Sequence, residues 1–230
     1  MDFKSALIVG AGPGLSASLA RQLAEAGAKV ALAARNPDKL ASLCGETGAV
    51  AFACDATDEA QVIQLFAEVD AAHGTPDLVV YNASARAPGP ITEISAADVQ
   101  RALAISAFGG FLVGQQAAIR MVPRGSGVIL FTGASASVKG YKQSAAFAMG
   151  KFALRGLAQS MARELAPKGV HVAHVVIDGG IRSERRPVPS DRPDSLLDPD
   201  AIATAYLQLA RQDRSAWTWE IELRPWVENF

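Results

Sequence analysis

Cysteine is almost absent from this chain, with Cys44 and Cys54 the only two in 230 residues. They form no Cys-x-x-Cys pair and have no nearby histidine series, so neither a zinc site nor a disulfide framework is expected. Both read as small core or edge residues in a cytoplasmic setting. An excess of either charge is also missing: 22 basic against 23 acidic side chains leave a formal net charge of -1, which gives no footing for nucleic acid or an anionic membrane. No stretch reaches 18 uninterrupted apolar residues, so no membrane span is expected. Residues 1–5 lack the basic region, apolar stretch and cleavage site of a signal peptide. A Gly-x-Ser-x-Gly elbow is missing as well, so Ser135 with His171 or His174 and Asp178 is no basis for a hydrolase. The two histidines read as core or rim residues of a strand rather than as metal ligands, and no metal is expected.

What is present is an apolar half of the composition laid out in alternation. Short runs at 6–9, 29–34, 50–53, 77–81, 127–131 and 170–177 read as strands, and 219–223 as a last edge strand. Between them lie helices at 15–26, from Pro37 with Asn36 as cap, from Asp58 to 72, from Ser95 to about 121, at 144–166 and at 200–211. Ser95 with Asp98 three residues on resembles a capping box. Strands alternating with helices predict a doubly wound α/β fold, a mostly parallel sheet joined by right-handed crossovers, in one domain over 1–230. Residues 182–199 break the pattern with four prolines and four arginines, which predicts a solvent-facing substrate loop or a plain connector. Trp217, Trp219, Trp226 and Phe230 are too aromatic for a frayed tail and pack either on the domain or on a second subunit.

The first strand runs into Gly10-Ala11-Gly12-Pro13-Gly14, with the next helix starting at Leu15. Glycines there permit a tight turn and close backbone approach, and the helix start offers unpaired N–H groups to a pyrophosphate. This points to a dinucleotide. The second strand ends in Ala33-Ala34-Arg35-Asn36, with no carboxylate to bond the adenosine ribose; Arg35 can instead pair with a 2'-phosphate, so NADP(H) is favoured and NAD(H) stays possible. The other reading of Arg35 is an ordinary solvated arginine. Asp55, followed by Ala56, stands where a carboxylate can accept from the adenine amino group, or it caps the next helix.

From about residue 4 to 181 the sequence resembles the short-chain dehydrogenase/reductase family. Gly10 and Gly14 match its glycine motif, with Ser16 where the final glycine lies. Asp55 matches its adenine-contacting aspartate, and Tyr81-Asn82-Ala83-Ser84 its Asn-Asn-Ala-Gly segment. Lys151 matches the lysine of Tyr-x-x-x-Lys, whereas Phe147 stands where the tyrosine belongs. Ser106 falls at the usual active-site asparagine and Ala134 at the usual serine, with Ser135 beside it. Ile177-Asp178-Gly179-Gly180 lies where Pro-Gly is common.

The resemblance implies a Rossmann-type oxidoreductase, a small-molecule substrate and a homodimer or homotetramer. It implies that Lys151 holds the nicotinamide ribose, with Asn82, Ala83, Gly179 and Ile181 completing the cofactor site. Without the resemblance, Lys151 has a second reading as an exposed helix lysine. Phe147 can neither give nor take a proton, so Tyr141, Tyr81 or Asp178, the last if desolvation raises its pKa, become candidates for that step. A substrate needing no strong acid, such as an imine or an activated double bond, fits this sequence best. A non-catalytic NADP(H)-binding or sensor protein is the alternative.

Overall fold

Strands buried on both faces must carry unbroken apolar runs, and this requirement organises the molecule. A computed structural model describes residues 3–227. Among them the strands are β1 (Ser5–Val9), β2 (Lys29–Ala34), β3 (Val50–Ala53), β4 (Leu78–Tyr81), β5 (Gly127–Thr132), β6 (Val170–Ile177), β7 (Gly180–Ile181), β8 (Leu196–Leu197) and β9 (Glu220–Leu223). Seven of them form one sheet in the order β3-β2-β1-β4-β5-β6-β9, parallel throughout, while β7 and β8 pair separately. The helices are α1 (Leu15–Glu25), α2 (Ala41–Thr47), α3 (Glu59–His73), α4 (Ala96–Leu103), α5 (Gly109–Arg124), α6 (Ala145–Leu165) and α7 (Pro199–Ala210).

The two-residue period of a strand sends neighbouring side chains to opposite layers. Ile8 and Leu32 meet Leu19 of α1, Leu43 of α2 and Tyr206 of α7 on one face; Leu7 and Phe131 meet Phe66 of α3, Leu112 of α5 and Leu154 of α6 on the other. The fold is therefore the expected doubly wound, mostly parallel α/β sandwich.

Several boundaries follow from local chemistry. Asn36 accepts from Asp38 N at 3.1 Å ahead of Pro37, and Asp58 accepts from Gln61 N at 3.1 Å at the start of α3. Ser95 accepts from Asp98 N at 3.0 Å. The Asp98 carboxylate, however, accepts from the Ser95 hydroxyl rather than from a backbone amide, so the reciprocal half of a capping box is missing.

The single helix expected from Ser95 is divided by a π turn at Ala104–Phe108. Beyond it, a Cβ on Gly109 would collide with the Tyr81 phenol and the Ala56 carbonyl, and one on Gly110 with Leu154. The widened turn and the two glycines let the helix lie directly on the sheet. Residues 96–124 are long and apolar enough by composition to cross a membrane. Here that apolarity is used against β4 and β5, through Leu112, Val113, Ala117 and Met121.

The edge strand β9 is held by a part-buried polar chain. Arg155 of α6 donates twice to Glu220, at 2.6 and 2.7 Å, and Glu220 lies 3.0 Å from His174 Nδ1. Nε2 of His174 is 3.2 Å from Ser137 Oγ. Because the carboxylate only accepts, Nδ1 carries the proton and Nε2 accepts from the hydroxyl. Trp217 stacks on His171 with ring centroids 4.9 Å apart, and Trp219 lies beside Arg155, so both aromatics pack on their own chain. Trp226 is exposed, and Phe230 lies outside the described residues.

Burial holds the His174 pKa down at about 4 against the attraction of Glu220, compared with an ordinary 6.5. An unfolded chain binds a proton there below pH 6.5 that the folded chain refuses, so this histidine costs stability as pH falls from 6.5 toward 4. His174→Gln should flatten that part of the melting temperature against pH profile. Equal slopes for the two proteins between pH 4 and 7 would refute the assignment.

Candidate functional site

Strand order reverses between β1 and β4, and loops leaving the C-terminal ends of these strands diverge there, opening a crevice. The turn after β1 is shaped by Gly10 at φ 82° and Gly14 at φ 88°. Gly10 N and Ala11 N both donate to Ala33 O at 3.0 Å, tying the turn to β2, and a Cβ on Gly10 would collide with Ala83. Ser16 donates to Gly10 O and accepts from Asn82 Nδ2 at 2.7 Å, which joins the turn to the segment after β4. No side chain caps α1, so its first amides and the positive end of its dipole are free for an anion.

This turn forms one wall of a cleft of about 640 Å³. Gly10, Gly12 and Pro13 line it, with Asp55, Ala56, Asn82 and Ala83. Gly14 and Leu15 stand behind the wall: Gly14 supplies the left-handed turn and Leu15 is buried in the core. At the far end Arg35 is joined by Lys39, four residues on, a cation the sequence reading missed. Asp55 accepts from Thr57 N at 2.9 Å and Thr57 Oγ1 at 2.8 Å, a local turn, while Asp58 takes the helix-capping role. Cys54 also lines this cleft as a free thiol, its pKa pushed up to about 11 by burial and then by Asp55.

A second cleft, of about 740 Å³, shares Asn82, Ser84 and Arg86 with the first. It brings together Lys151, Phe147, Ser135, Tyr141, Gly179 and Ile181. Lys151 is buried, and Nζ donates to the Thr132 carbonyl at 2.7 Å. It is thus not the solvent-exposed helix lysine of the plain reading. Burial and then the Arg86 charge bring its pKa down to about 7. One turn earlier on α6, the Phe147 ring lies 5.9 Å from that nitrogen, with the Arg86 guanidinium stacked over it at 4.3 Å. Tyr141 is half-exposed at the rim. Ser106 sits fully buried in the π turn, accepting from Ala85 N at 3.3 Å, and does not line the cleft.

Two candidate proton carriers are corrected. Tyr81 is wholly buried in the core and donates to the Ile105 carbonyl, and burial raises its pKa further. Asp178 is a candidate only if desolvation raises its pKa. Burial does push its pKa up, but hydrogen bonds from Ser135 and Lys139, with the Lys139 and Arg224 charges, outweigh it and hold the carboxyl below its ordinary range. Asp178 does not line the cleft and is paired with Lys139 at 3.2 Å.

The comparisons with known proteins agree with this geometry. Residues 4–187 match the family model described as short chain dehydrogenase. The D-threitol dehydrogenase of Mycolicibacterium smegmatis is 34% identical over 177 residues, covering 75% of this chain and 68% of that protein. A crystal structure of a short-chain dehydrogenase from Rhodopseudomonas palustris superposes with a TM-score of 0.83 at 37% identity, over 96% of this chain and 98% of that one. A metagenomic short-chain oxidoreductase in complex with NADP superposes with a TM-score of 0.85 at 28% identity, over 96% and 97%.

Lys151 has a consequence for stability. Between pH 7 and its ordinary 10.5 the unfolded chain holds a proton that the folded chain releases, so the cofactor-free protein should gain stability as pH rises through that window. Denaturant unfolding of Lys151→Met at pH 7 and pH 9.5 should show a smaller gain than the parent protein. An unchanged gain would mean the ammonium is not desolvated.

Proposed function

The chain belongs to the short-chain dehydrogenase family, and on that premise we propose that it is an NADP(H)-favouring oxidoreductase with altered proton-transfer chemistry. In this reading residues 1–230 act as one nucleotide-binding domain. The amides at the start of α1 receive the pyrophosphate, and Arg35 with Lys39 receives the 2'-phosphate. Asp55 and Ala56 contact the adenine end. Asn82, Ala83, Lys151, Gly179 and Ile181 hold the nicotinamide riboside. The NADP complex of the metagenomic relative supports this preference.

The single observation carrying the chemistry is Phe147, which lines the cleft beside Lys151 with no hydroxyl to offer. In this reading the phenyl ring takes the place of the family's acid tyrosine, Ala134 that of its serine and Ser106 that of its asparagine. Bound there, NADPH would supply hydride to an electrophilic carbon of the substrate, and water or the rim hydroxyl of Tyr141 would give the proton to the atom that gains the electron pair. The sum is C=X + NADPH + H⁺ giving CH–XH and NADP⁺. An imine or an activated double bond suits such a site, because its reduction needs less help from a strong acid than that of a plain ketone. Substrate enters between residues 85–91 and 182–199. The second segment is anchored by the β7–β8 pair and by Arg182 to Asp198 at 2.6 Å. Phe108, Phe111 and Ile119, with Met149 and Phe152 of α6, leave an exposed apolar face suited to a second copy of the chain in a homodimer or homotetramer.

Single-turnover loss of NADPH absorbance should be seen with an imine or activated alkene and be weak with simple ketones. Restoring the acid and the substrate-steadying hydroxyl with Phe147→Tyr and Ala134→Ser should raise ketone reduction on the order of 100-fold. If no substrate oxidises bound NADPH with protein in excess, a binding-only sensor replaces this reading. Arg35→Ala should weaken NADPH binding about tenfold while sparing NADH; equal losses for both would remove the NADP preference.

A further inference from the structure

Among the described residues, the cleft beside Lys151 is lined by three arginines and no carboxylate. Arg86 comes from the loop after β4, whereas Arg185 and Arg186 come from the segment after β7, about a hundred residues later. Among the described residues none of the three forms an ion pair, although Arg182 in the same segment is paired with Asp198. Resting on the reading of this cleft as the substrate end, we infer that the substrate is a small anion whose carboxylate or phosphate is received by Arg86 and Arg186.

The arrangement has the features of a prepared anion site. Stacking on Phe147 at 4.3 Å fixes the plane of the Arg86 guanidinium, and with it the direction of its donors. Arg186 Nη1 lies over Gly180, where a Cβ would stand 2.6 Å from it, so the backbone there leaves room for the guanidinium. The two charges feel each other: burial and then the Arg186 charge lower the Arg86 pKa, and Arg86 in turn acts on Lys151. The three arginines are solvent-exposed, so water screens part of their repulsion; an anion placed between Arg86 and Arg186 removes what remains and gains charge-assisted hydrogen bonds. A neutral polyol or ketone would leave the cluster uncompensated.

The cofactor is the competing source of negative charge. Its phosphates, however, have the α1 amides, Arg35 and Lys39 in the other cleft. Arg86 borders both clefts, but Arg185 and Arg186 line only the second. This asymmetry makes Arg186 the discriminating position.

The test uses the NADPH-saturated protein, with calorimetric titration of inorganic phosphate, malonate and the neutral malonamide. Phosphate or malonate should bind and malonamide should not. Arg86→Gln and Arg186→Gln should each weaken the anion about tenfold or more, while NADPH affinity in Arg186→Gln stays unchanged. Arg86→Lys, which keeps the charge but loses the fork, should retain part of the binding, and circular dichroism confirms folding of each variant. In turnover, comparing an imine or activated alkene that bears a carboxylate with its amide, and one that bears a phosphate with its dephosphorylated form, tells carboxylate from phosphate. Equal binding of malonate and malonamide overturns the inference, as does an Arg186→Gln protein that loses NADPH and anion together. Should NADPH itself fail to bind, the proposed oxidoreductase reading falls, but the same titration on cofactor-free protein still decides whether these arginines hold an anion.

Discussion

The Lys151 ammonium is buried with one hydrogen-bond partner, the Thr132 carbonyl, and the site is arranged around that under-compensated charge. A lysine can occupy this place because parallel strands end in carbonyls at their C-terminal edge, and Thr132 is the last residue of β5. One carbonyl dipole does not replace the water that burial removes, so the charged form is disfavoured. The Phe147 ring gives only a weak quadrupole attraction at 5.9 Å, and Arg86 adds repulsion. A lysine so placed favours whatever brings hydroxyl oxygens or negative charge to it.

The same imbalance extends along the crevice. Arg35 and Lys39 stand at one end, Arg86 near the middle, and Arg185 with Arg186 at the other. The whole chain carries a formal charge of -1, so this positive lining arises from segregation, not from an excess. Many of the carboxylates are engaged elsewhere: Glu46 with Arg21, Asp70 with Arg120, Glu220 with Arg155 and Asp198 with Arg182. The exposed pairs among them, Glu46 with Arg21 and Asp198 with Arg182, contribute little to stability. Together all of these pairs leave the crevice walls dominated by cations, and a field of one sign between low-dielectric walls draws anions in.

Much of this could be read from the residues. The strands were legible because double-sided burial writes them as solid apolar runs, and helix starts because Asn36, Asp58 and Ser95 each supply a short oxygen beside the first turn. The glycine turn was legible for the same local reason. What could not be read depends on distant packing. The π turn has no sequence signature of its own, since it answers the approach of Gly109 to Tyr81. β7 and β8, two residues each, are too short for any period. Lys39 reaches the cleft through the short 3₁₀ turn after Pro37, and Arg86 meets Arg186 across a hundred residues of chain. The balance at Asp178 is set by Lys139 and Ser135, partners whose approach the sequence does not show.

The polar chain Ser137–His174–Glu220–Arg155 shows why residue order alone does not define a site. A hydroxyl, an imidazole and a carboxylate stand in hydrogen-bond sequence, the order that a nucleophilic enzyme requires. Yet Ser137 and His174 are fully buried and neither lines either cleft, so no substrate atom can reach the hydroxyl. Ser137 Oγ instead accepts from Ala134 N at 3.1 Å, and Glu220 is shared with Arg155. The chain fastens the turn after β5 to β6, β9 and α6. That turn carries Ala134 and Ser135 into the wall of the cleft that the arginines also line, so the polar network sets the position of the wall and leaves the chemistry to the groups that line it.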